Sequence, residues 1–378
     1  MNDAQLEALA TSPAALAMAF VLGTLWGSFA NVCIYRWPPT KEHPRGRSVV
    51  SPGSHCGACG KPVRGYDNVP ILAWLWLRGR CRDCGTQFSA RYILVEALTG
   101  VLFATVWWFA VDARAGLEPL DLRVVRAGIG AAFAFVMVVI LFIDLDHMLI
   151  LDRVTLPSLV AFYALGTTLP ERGWQDGIVG AAVGFALVRV VADLFLLLRG
   201  KIGMGMGDGK LLAVVGALLG WRGPMVALFL GAAVAVVVVI PAMLIRSATG
   251  GAPGGADDGA DDGAAAEPPL APLPWAERRQ ALWSLGLIAI VGAAVMTTPL
   301  PPWIAAAVVV AAALADDFFG LTDPRPAPGT GDDTVDDGDG DGDDDALAPG
   351  ALPFGPFLAV AALFWWFAEP YVLFQIAG

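Results

Sequence analysis

Long apolar runs separated by short polar segments make up most of the chain. Runs of this length cross a bilayer as helices, because a helix pairs its backbone polar groups within its own segment. The pattern therefore predicts an all-α polytopic membrane protein with about 8–10 transmembrane helices. The predicted spans are Ala14–Val32, Ile93–Val111, Ala127–Ile143, Val154–Leu169, Ile178–Leu198, Ile202–Trp221, Pro224–Ile245, Ala281–Thr297, Trp303–Ala315 and Phe354–Ile376.

Composition supports the membrane class and explains the acidic balance. Of the 378 residues, 56% are hydrophobic and 16% are charged, whereas soluble domains have about 25% charged residues. Much of the net charge of −11 lies in two low-complexity segments, Gly250–Pro269 and Thr322–Gly350, which are predicted to be disordered linkers. They flank a predicted transmembrane hairpin, so residues 247–350 are interpreted as an insertion with an accessory role.

The distribution of basic residues predicts the orientation in the membrane. Ten lysines and arginines lie from Arg36 to Arg91, and such residues concentrate in cytoplasmic loops. This loop is therefore predicted to be cytoplasmic, with the N-terminus on the periplasmic side. Alternating the spans from there brings the ends of the third and fifth spans to the same cytoplasmic face.

Four of the five cysteines form two matched pairs in the basic loop, Cys56-Gly-Ala-Cys59 and Cys81-Arg-Asp-Cys84. Two Cys-x-x-Cys motifs, each followed by glycine, predict one structural four-thiolate zinc site, with Cys56, Cys59, Cys81 and Cys84 as the ligands. A redox pair is disfavoured because two matched motifs indicate one tetrahedral centre, and a disulfide framework is disfavoured because cytoplasmic thiols stay reduced. Nucleic-acid binding is also disfavoured, because Trp74–Leu77 beside Arg78 is typical of a membrane-facing surface.

Two aspartates lie at or beside the ends of apolar spans: Asp144 in Phe142-Ile-Asp-Leu-Asp-His147 and Asp208 in Gly205-Met-Gly-Asp-Gly-Lys210. A carboxyl costs about 2.5–3.5 kcal/mol at a helix centre, so it is usually retained for a function. Either residue alone would be read as a helix cap or an interfacial acid. Together on one face, they predict a pair that shares a proton and activates water, as in aspartic proteases. A proton-coupled transporter is the alternative from another class.

Neighbouring residues are expected to support this pair. Gly205 and Gly207 would let an extended substrate approach Asp208. Lys210 is expected to lie near Asp208 or to bind a lipid phosphate, and Asp152 is expected to be structural or to orient the substrate. Arg189 and Asp193, four residues apart within one span, are expected to form a buried pair.

The ordered set of motifs resembles the type IV prepilin peptidases. The resemblance rests on Gly27-Ser-Phe-Ala-Asn-Val-Cys-Ile-Tyr-Arg36, the four cysteines, Asn68–Leu75, Ser89-Ala-Arg-Tyr92, Glu96, the two aspartate motifs and Leu352-Pro-Phe-Gly-Pro-Phe-Leu358. It covers roughly residues 27–246 and 352–378, and it implies an inner-membrane enzyme with Asp144 and Asp208 as the catalytic pair. It also implies cleavage of prepilin or pseudopilin leaders on the cytoplasmic side, then N-methylation from S-adenosylmethionine. A peptidase that lacks the methyltransferase activity stays open, because no common glycine-rich nucleotide loop is visible.

These observations divide the chain into five segments. Residues 1–35 are predicted to form the first transmembrane helix and residues 36–92 the cytoplasmic cysteine loop, which the resemblance associates with methylation. Residues 93–246 are predicted to form the peptidase core, residues 247–350 the insertion, and residues 351–378 a C-terminal transmembrane helix. The expected partners are the lipid bilayer and prepilin or pseudopilin substrates, and the sequence leaves the oligomeric state open.

Overall fold

The computed structural model describes residues 2–199, 205–248, 282 and 353–377. Throughout these residues the regular elements are helical, with no strand, which confirms the predicted fold class. The α-helices are α1 Asp3–Ala10, α2 Pro13–Arg36, α3 Leu72–Trp76, α4 Arg91–Trp107, α5 Leu120–His147, α6 Asp152–Gly166, α7 Trp174–Arg199, α8 Met206–Leu219, α9 Arg222–Ala248 and α10 Gly355–Ala377. The predicted hairpin and both linkers, apart from Leu282, lie outside this part of the chain, so the accessory role of residues 247–350 stays a prediction.

Four helices in the described ranges are long and apolar enough to cross a membrane: α2, α4 with its π-helical extension Trp108–Asp112, α5 and α7. The predicted spans at Val154–Leu169 and Ile202–Trp221 correspond to α6 and α8, which have 15 and 14 residues. At 1.5 Å per residue these two helices measure only about 22 Å, less than a hydrocarbon core of about 30 Å. Gly220 ends α8 with φ +67°, and the left-handed Met148 ends α5 shortly before α6 begins.

Small residues allow two pairs of helices to pack at backbone distance. A Cβ added to Gly23 of α2 would lie 2.7 Å from the Thr99 carbonyl oxygen of α4. Between α7 and α8 the approach is closer, since a Cβ added to Gly180 would lie 2.1 Å from the Gly216 carbonyl oxygen. Because lipid tails are as apolar as the helix surfaces, close packing of this kind contributes much of the association between membrane helices.

The C-terminal helix α10 returns to the middle of the bundle, where it packs against α5, α8 and α9. Leu358 and Ala359, in its first turns, are fully buried in the main hydrophobic core. The helix begins at Gly355, beside the C-terminal end of α5, and therefore adds a third element to the end of the bundle that holds Asp144.

Ion pairs of two arginines lie at the other end of the bundle. Arg126, near the start of α5, pairs with Glu171, and Arg172 pairs with Glu369 of α10. Arg126 precedes Asp144 by about 27 Å along α5. Arg126 and Asp144 therefore lie at opposite ends of the same helix.

Candidate active site and metal centre

Asp144 lies in the last turn of α5, and only 5% of its surface is exposed. The helix ends immediately beyond it, because Met148 adopts a left-handed conformation (φ 48°, ψ 42°) and its N–H donates to the Asp144 carbonyl. The Asp144 carboxylate packs against the backbone of Gly355, the first residue of α10, where a Cβ would lie only 2.6 Å from its Oδ2. The side chain is thus held between the end of one helix and the start of another.

Asp208 lies in the first turn of α8, and 8% of its surface is exposed. Its backbone N–H donates to the carbonyl of Gly205, the residue that caps this helix, at 3.2 Å. Asp208 also interacts electrostatically with Asp144. The structure therefore brings together the two carboxyls that the sequence placed on one face.

Ile150 packs between the two halves of this site. A Cβ added to Gly207, next to Asp208, would lie 2.9 Å from the Cβ of Ile150. A Cβ added to Gly355, next to Asp144, would lie 3.3 Å from Ile150 Cδ1. Gly207 therefore permits packing against Ile150. Among the described residues, the atom nearest to a Cβ added at Gly205 is Asp208 Oδ2, at 3.9 Å.

Ion pairs connect the helix ends that surround the two aspartates. Lys210 Nζ lies 2.8 Å from Asp152 Oδ1, which joins the first turn of α8 to the first residue of α6. Arg91, the first residue of α4, lies 2.5 Å from Asp146 and donates to the Phe142 carbonyl at 3.2 Å. The expected supporting residues Lys210 and Asp152 thus contact one another at the edge of the site.

Two other features named in the sequence analysis, the Arg189–Asp193 pair and Glu96, lie away from the aspartates. Arg189 Nε and Asp193 Oδ2 lie 2.8 Å apart, so the predicted buried pair within α7 is confirmed. Glu96 of α4 is buried and accepts the Ile71 N–H at 2.7 Å. Ile71 has φ +62°, which is uncommon for a β-branched residue, so this hydrogen bond holds a strained turn of the cysteine loop against the bundle.

The four cysteines of the loop form one cluster. The sulfurs of Cys56, Cys59, Cys81 and Cys84 all lie within 4.8 Å of one another, and Cys56 Sγ and Cys84 Sγ are 3.8 Å apart. Tetrahedral zinc with Zn–S bonds of about 2.3 Å separates its sulfurs by about 3.8 Å. This spacing and the four-thiolate donor set are compatible with zinc, and they leave no open position for a catalytic water.

The two cysteine motifs share one backbone conformation. In each motif the glycine that follows the second cysteine is left-handed, with φ +68° at Gly60 and +75° at Gly85, and its N–H donates to the carbonyl of the first cysteine. Hydrogen bonding to the side chain and backbone of Thr86 lowers the pKa of Cys84 to about 6. A lowered pKa favours the thiolate, which is the form that binds metals.

Two models of known protein families match this chain. The model of the bacterial peptidase A24 N-terminal domain matches residues 21–110, and that of the type IV leader peptidase family matches residues 131–240. This chain belongs to the type IV leader peptidase family. The prepilin leader peptidase/N-methyltransferase of Aeromonas salmonicida is 35% identical to it over 252 residues, which are 61% of this chain and 82% of that protein. The protein of the same name from Myxococcus xanthus is 35% identical over 282 residues, which are 75% and 78% of the two chains. No solved structure matches the chain.

Each family match includes different candidate functional residues. The first includes the cysteine cluster and Glu96, and the second includes Asp144 and Asp208. Gly355, which contacts Asp144, lies outside both matches, and reasoning from the sequence assigned no role to this glycine. Its motif, Leu352–Leu358, was visible as part of the resemblance to the leader peptidase family. That Gly355 touches Asp144 follows only from the packing of α10.

Proposed function

We propose that this protein is a prepilin leader peptidase that uses Asp144 and Asp208 as its catalytic pair. The observation that carries the proposal is the convergence of two buried carboxyls, from separate motifs, at one end of the helix bundle. The relatives named prepilin leader peptidase/N-methyltransferase, of which the chain matches about four fifths, support the same activity. The substrates of this chain are accordingly prepilins or pseudopilins.

The pair performs peptide hydrolysis by general acid–base catalysis. One carboxylate removes a proton from a water molecule, whose oxygen then attacks the carbonyl carbon of the scissile bond. The protonated partner donates its proton to the carbonyl oxygen and, as the intermediate collapses, a proton passes to the leaving amine. Because two adjacent carboxyls share one proton, the ionisation behaviour belongs to the pair as a unit.

The proposal includes the orientation and the division of the chain predicted from the sequence. The cysteine loop of residues 36–92 and the aspartates face the cytoplasm, and the N-terminus faces the periplasm. The ten basic residues between Arg36 and Arg91 support this orientation. Residues 93–246 form the peptidase core, and α10, within residues 351–378, completes it.

N-methylation of the newly exposed N-terminal residue is the second activity in the proposal. It is supported by the names of the relatives and by the match of residues 21–110 to the N-terminal domain of the bacterial peptidases. S-adenosylmethionine, when bound, supplies the methyl group. Cys56, Cys59, Cys81 and Cys84 would hold the zinc, and because four thiolates saturate a tetrahedral ion, its role would be to stabilise the fold of the loop.

The catalytic proposal is tested by cleavage of a candidate prepilin with Asp144→Asn and Asp208→Asn. An amide cannot take the proton from water, so we expect each single variant to cut at least about 1,000-fold more slowly than the wild type. Cleavage is followed by the loss of the leader on a gel and by mass spectrometry.

Asp121→Asn is the matched control, because Asp121 lies in the first turn of the same helix as Asp144, at its other end. It should cut at the wild-type rate. Normal cleavage by either Asp144→Asn or Asp208→Asn would contradict the assignment of the catalytic pair.

A further inference from the structure

The first residue of α10 touches Asp144 directly. The Asp144 carboxylate packs directly against the backbone of Gly355. A Cβ added to Gly355 would lie 2.6 Å from Asp144 Oδ2 and 3.1 Å from Asp144 Cγ. Real Cβ atoms essentially never approach a heavy atom within 3.0 Å, so a side chain at position 355 and the present position of the carboxylate exclude one another.

Backbone conformation does not explain why this position is glycine. Gly355 begins a helix, and its φ lies outside the left-handed region, in contrast to Gly60 and Gly85 of the cysteine motifs. Alanine could therefore adopt the same backbone without strain. What leaves no room for a side chain is the Asp144 carboxylate.

The electrostatics of the two helices also favour this contact. Asp144 lies in the last turn of α5, where the partial negative charge of the helix end disfavours a carboxylate. The start of α10 carries unpaired N–H groups and a partial positive charge, which favour a carboxylate. The partial positive charge at the start of α10 therefore stabilises the Asp144 carboxylate, whereas the end of its own helix does not.

We propose that Gly355 is a positioning residue of the peptidase. Its N–H fixes the orientation of the Asp144 carboxylate, and its lack of a side chain leaves the space that this carboxylate occupies next to Asp208. The inference rests on the proposed peptidase function. It makes the start of α10 part of the active site, although residues 247–350 separate α10 from the peptidase core in the sequence.

The experiment compares Gly355→Ala with Gly231→Ala in the full-length protein, purified and reconstituted, with a prepilin as substrate. Gly231 of α9 is the matched control, because it also packs against the first turns of α10 and an added Cβ would lie 3.2 Å from Leu358 Cδ2. For Gly355→Ala we expect kcat to fall about 100-fold, since small displacements of catalytic groups have effects of this size. We expect KM to change little, and Gly231→Ala to keep kcat within about threefold of the wild type.

The pH dependence of kcat separates positioning from a general packing defect. A packing defect lowers kcat by the same factor at every pH. Displacing the Gly355 N–H away from the Asp144 carboxylate instead changes the shape of the pH profile. If Gly355→Ala does not accumulate, the double variant Gly355→Ala/Ile150→Ala removes the second contact, at 3.3 Å, and is compared with Ile150→Ala alone.

The possible results distinguish the proposed peptidase function from the positioning role of Gly355. A wild-type protein that leaves prepilins uncut contradicts the proposed function itself. If the wild type and Gly355→Ala cut equally well, the peptidase stands and the positioning role is wrong. Equal losses of kcat and of Tm in Gly355→Ala and Gly231→Ala, with an unchanged pH profile, likewise overturn the positioning role, since α10 would then matter only for packing.

Discussion

At the scale of single residues, the ion pair of Lys210 and Asp152 connects the two motifs of the active site. Lys210 follows Asp208 in the first turn of α8, and Asp152 begins α6 just after Ile150. Ile150 in turn packs against Gly207 and lies beside the Gly355 contact with Asp144. The ion pair therefore holds the loop between α5 and α6 against the start of α8.

The pair should contribute to cleavage more than to stability. Because more than half of the Asp152 side chain is exposed, its contribution to stability is expected to be about 0.2–1 kcal/mol. Lys210→Met should lower kcat by about tenfold through looser placement of Ile150. Lys61→Met, which removes an exposed pair with Asp83 in the cysteine loop, should leave cleavage unchanged.

A double-mutant cycle with Asp152→Asn provides the decisive measurement for this pair. If the two residues act together, the effects of Lys210→Met and Asp152→Asn on kcat should not add in the double variant. Full additivity would show that the contact between them does not position the site.

At the scale of elements, the contact of α7 with α8 fixes the helix that carries Asp208. Gly180 and Gly216 face one another so closely that a Cβ on either would lie within 2.1 Å of the carbonyl oxygen of the other. Gly184 makes a similar contact with the Leu212 carbonyl oxygen, at 2.2 Å. Backbone atoms cannot move aside as flexible side chains do, so the distance between these helices depends on the glycines.

Gly180→Ala should force α7 and α8 apart. We expect a destabilisation of about 1–3 kcal/mol, typical of overpacking, together with reduced cleavage because Asp208 moves with α8. Thermal unfolding in detergent measures the first effect and prepilin cleavage the second. Gly128→Ala is the control: no atom of the residues that the structure describes lies within 4 Å of its added Cβ, and alanine favours a helix, so it should be neutral or slightly stabilising. Equal Tm values for the two variants would contradict this account.

At the scale of the whole molecule, the cysteine loop and the aspartate pair occupy different parts of the chain. The loop is tied to the helices through Glu96 and Arg91, whereas the aspartates are held by α5, α8 and α10. The two proposed activities should therefore respond differently when the loop loses its fold.

Loss of the metal should affect methylation and spare cleavage. Cys56→Ser, or chelation of the purified protein, should remove zinc as measured by elemental analysis, because a structural zinc site supplies the folding energy of its loop. Transfer of label from S-adenosylmethionine to the cleaved pilin should fall to background, while the rate of cleavage stays within about threefold of the wild type. Cys33→Ser is the control, since Cys33 is buried in α2 away from the cluster. Cleavage that disappears together with the zinc would contradict the separation of the two activities.

Local patterns in the sequence were enough to predict much of this molecule. Apolar runs predicted the positions of α2 and of α4 to α10. The spacing of the cysteines predicted one cluster. Both signals act within a short stretch of chain: hydrophobicity fixes which segments enter a membrane, and Cys-x-x-Cys-Gly fixes a turn that aims two sulfurs at one point. The pairing of Arg189 with Asp193 followed equally from their spacing along one helix.

Contacts between distant segments were decided only by the tertiary structure. The sequence placed Asp144 and Asp208 on one face by counting spans, but the ion pair of Lys210 with Asp152 and the packing of Ile150 depend on how α5, α6 and α8 meet. The contact of Gly355 with Asp144 depends on where α10 returns after residues 247–350. Side-chain periodicity specifies which face of a helix is buried, whereas the neighbour on that face is set by packing of the whole bundle.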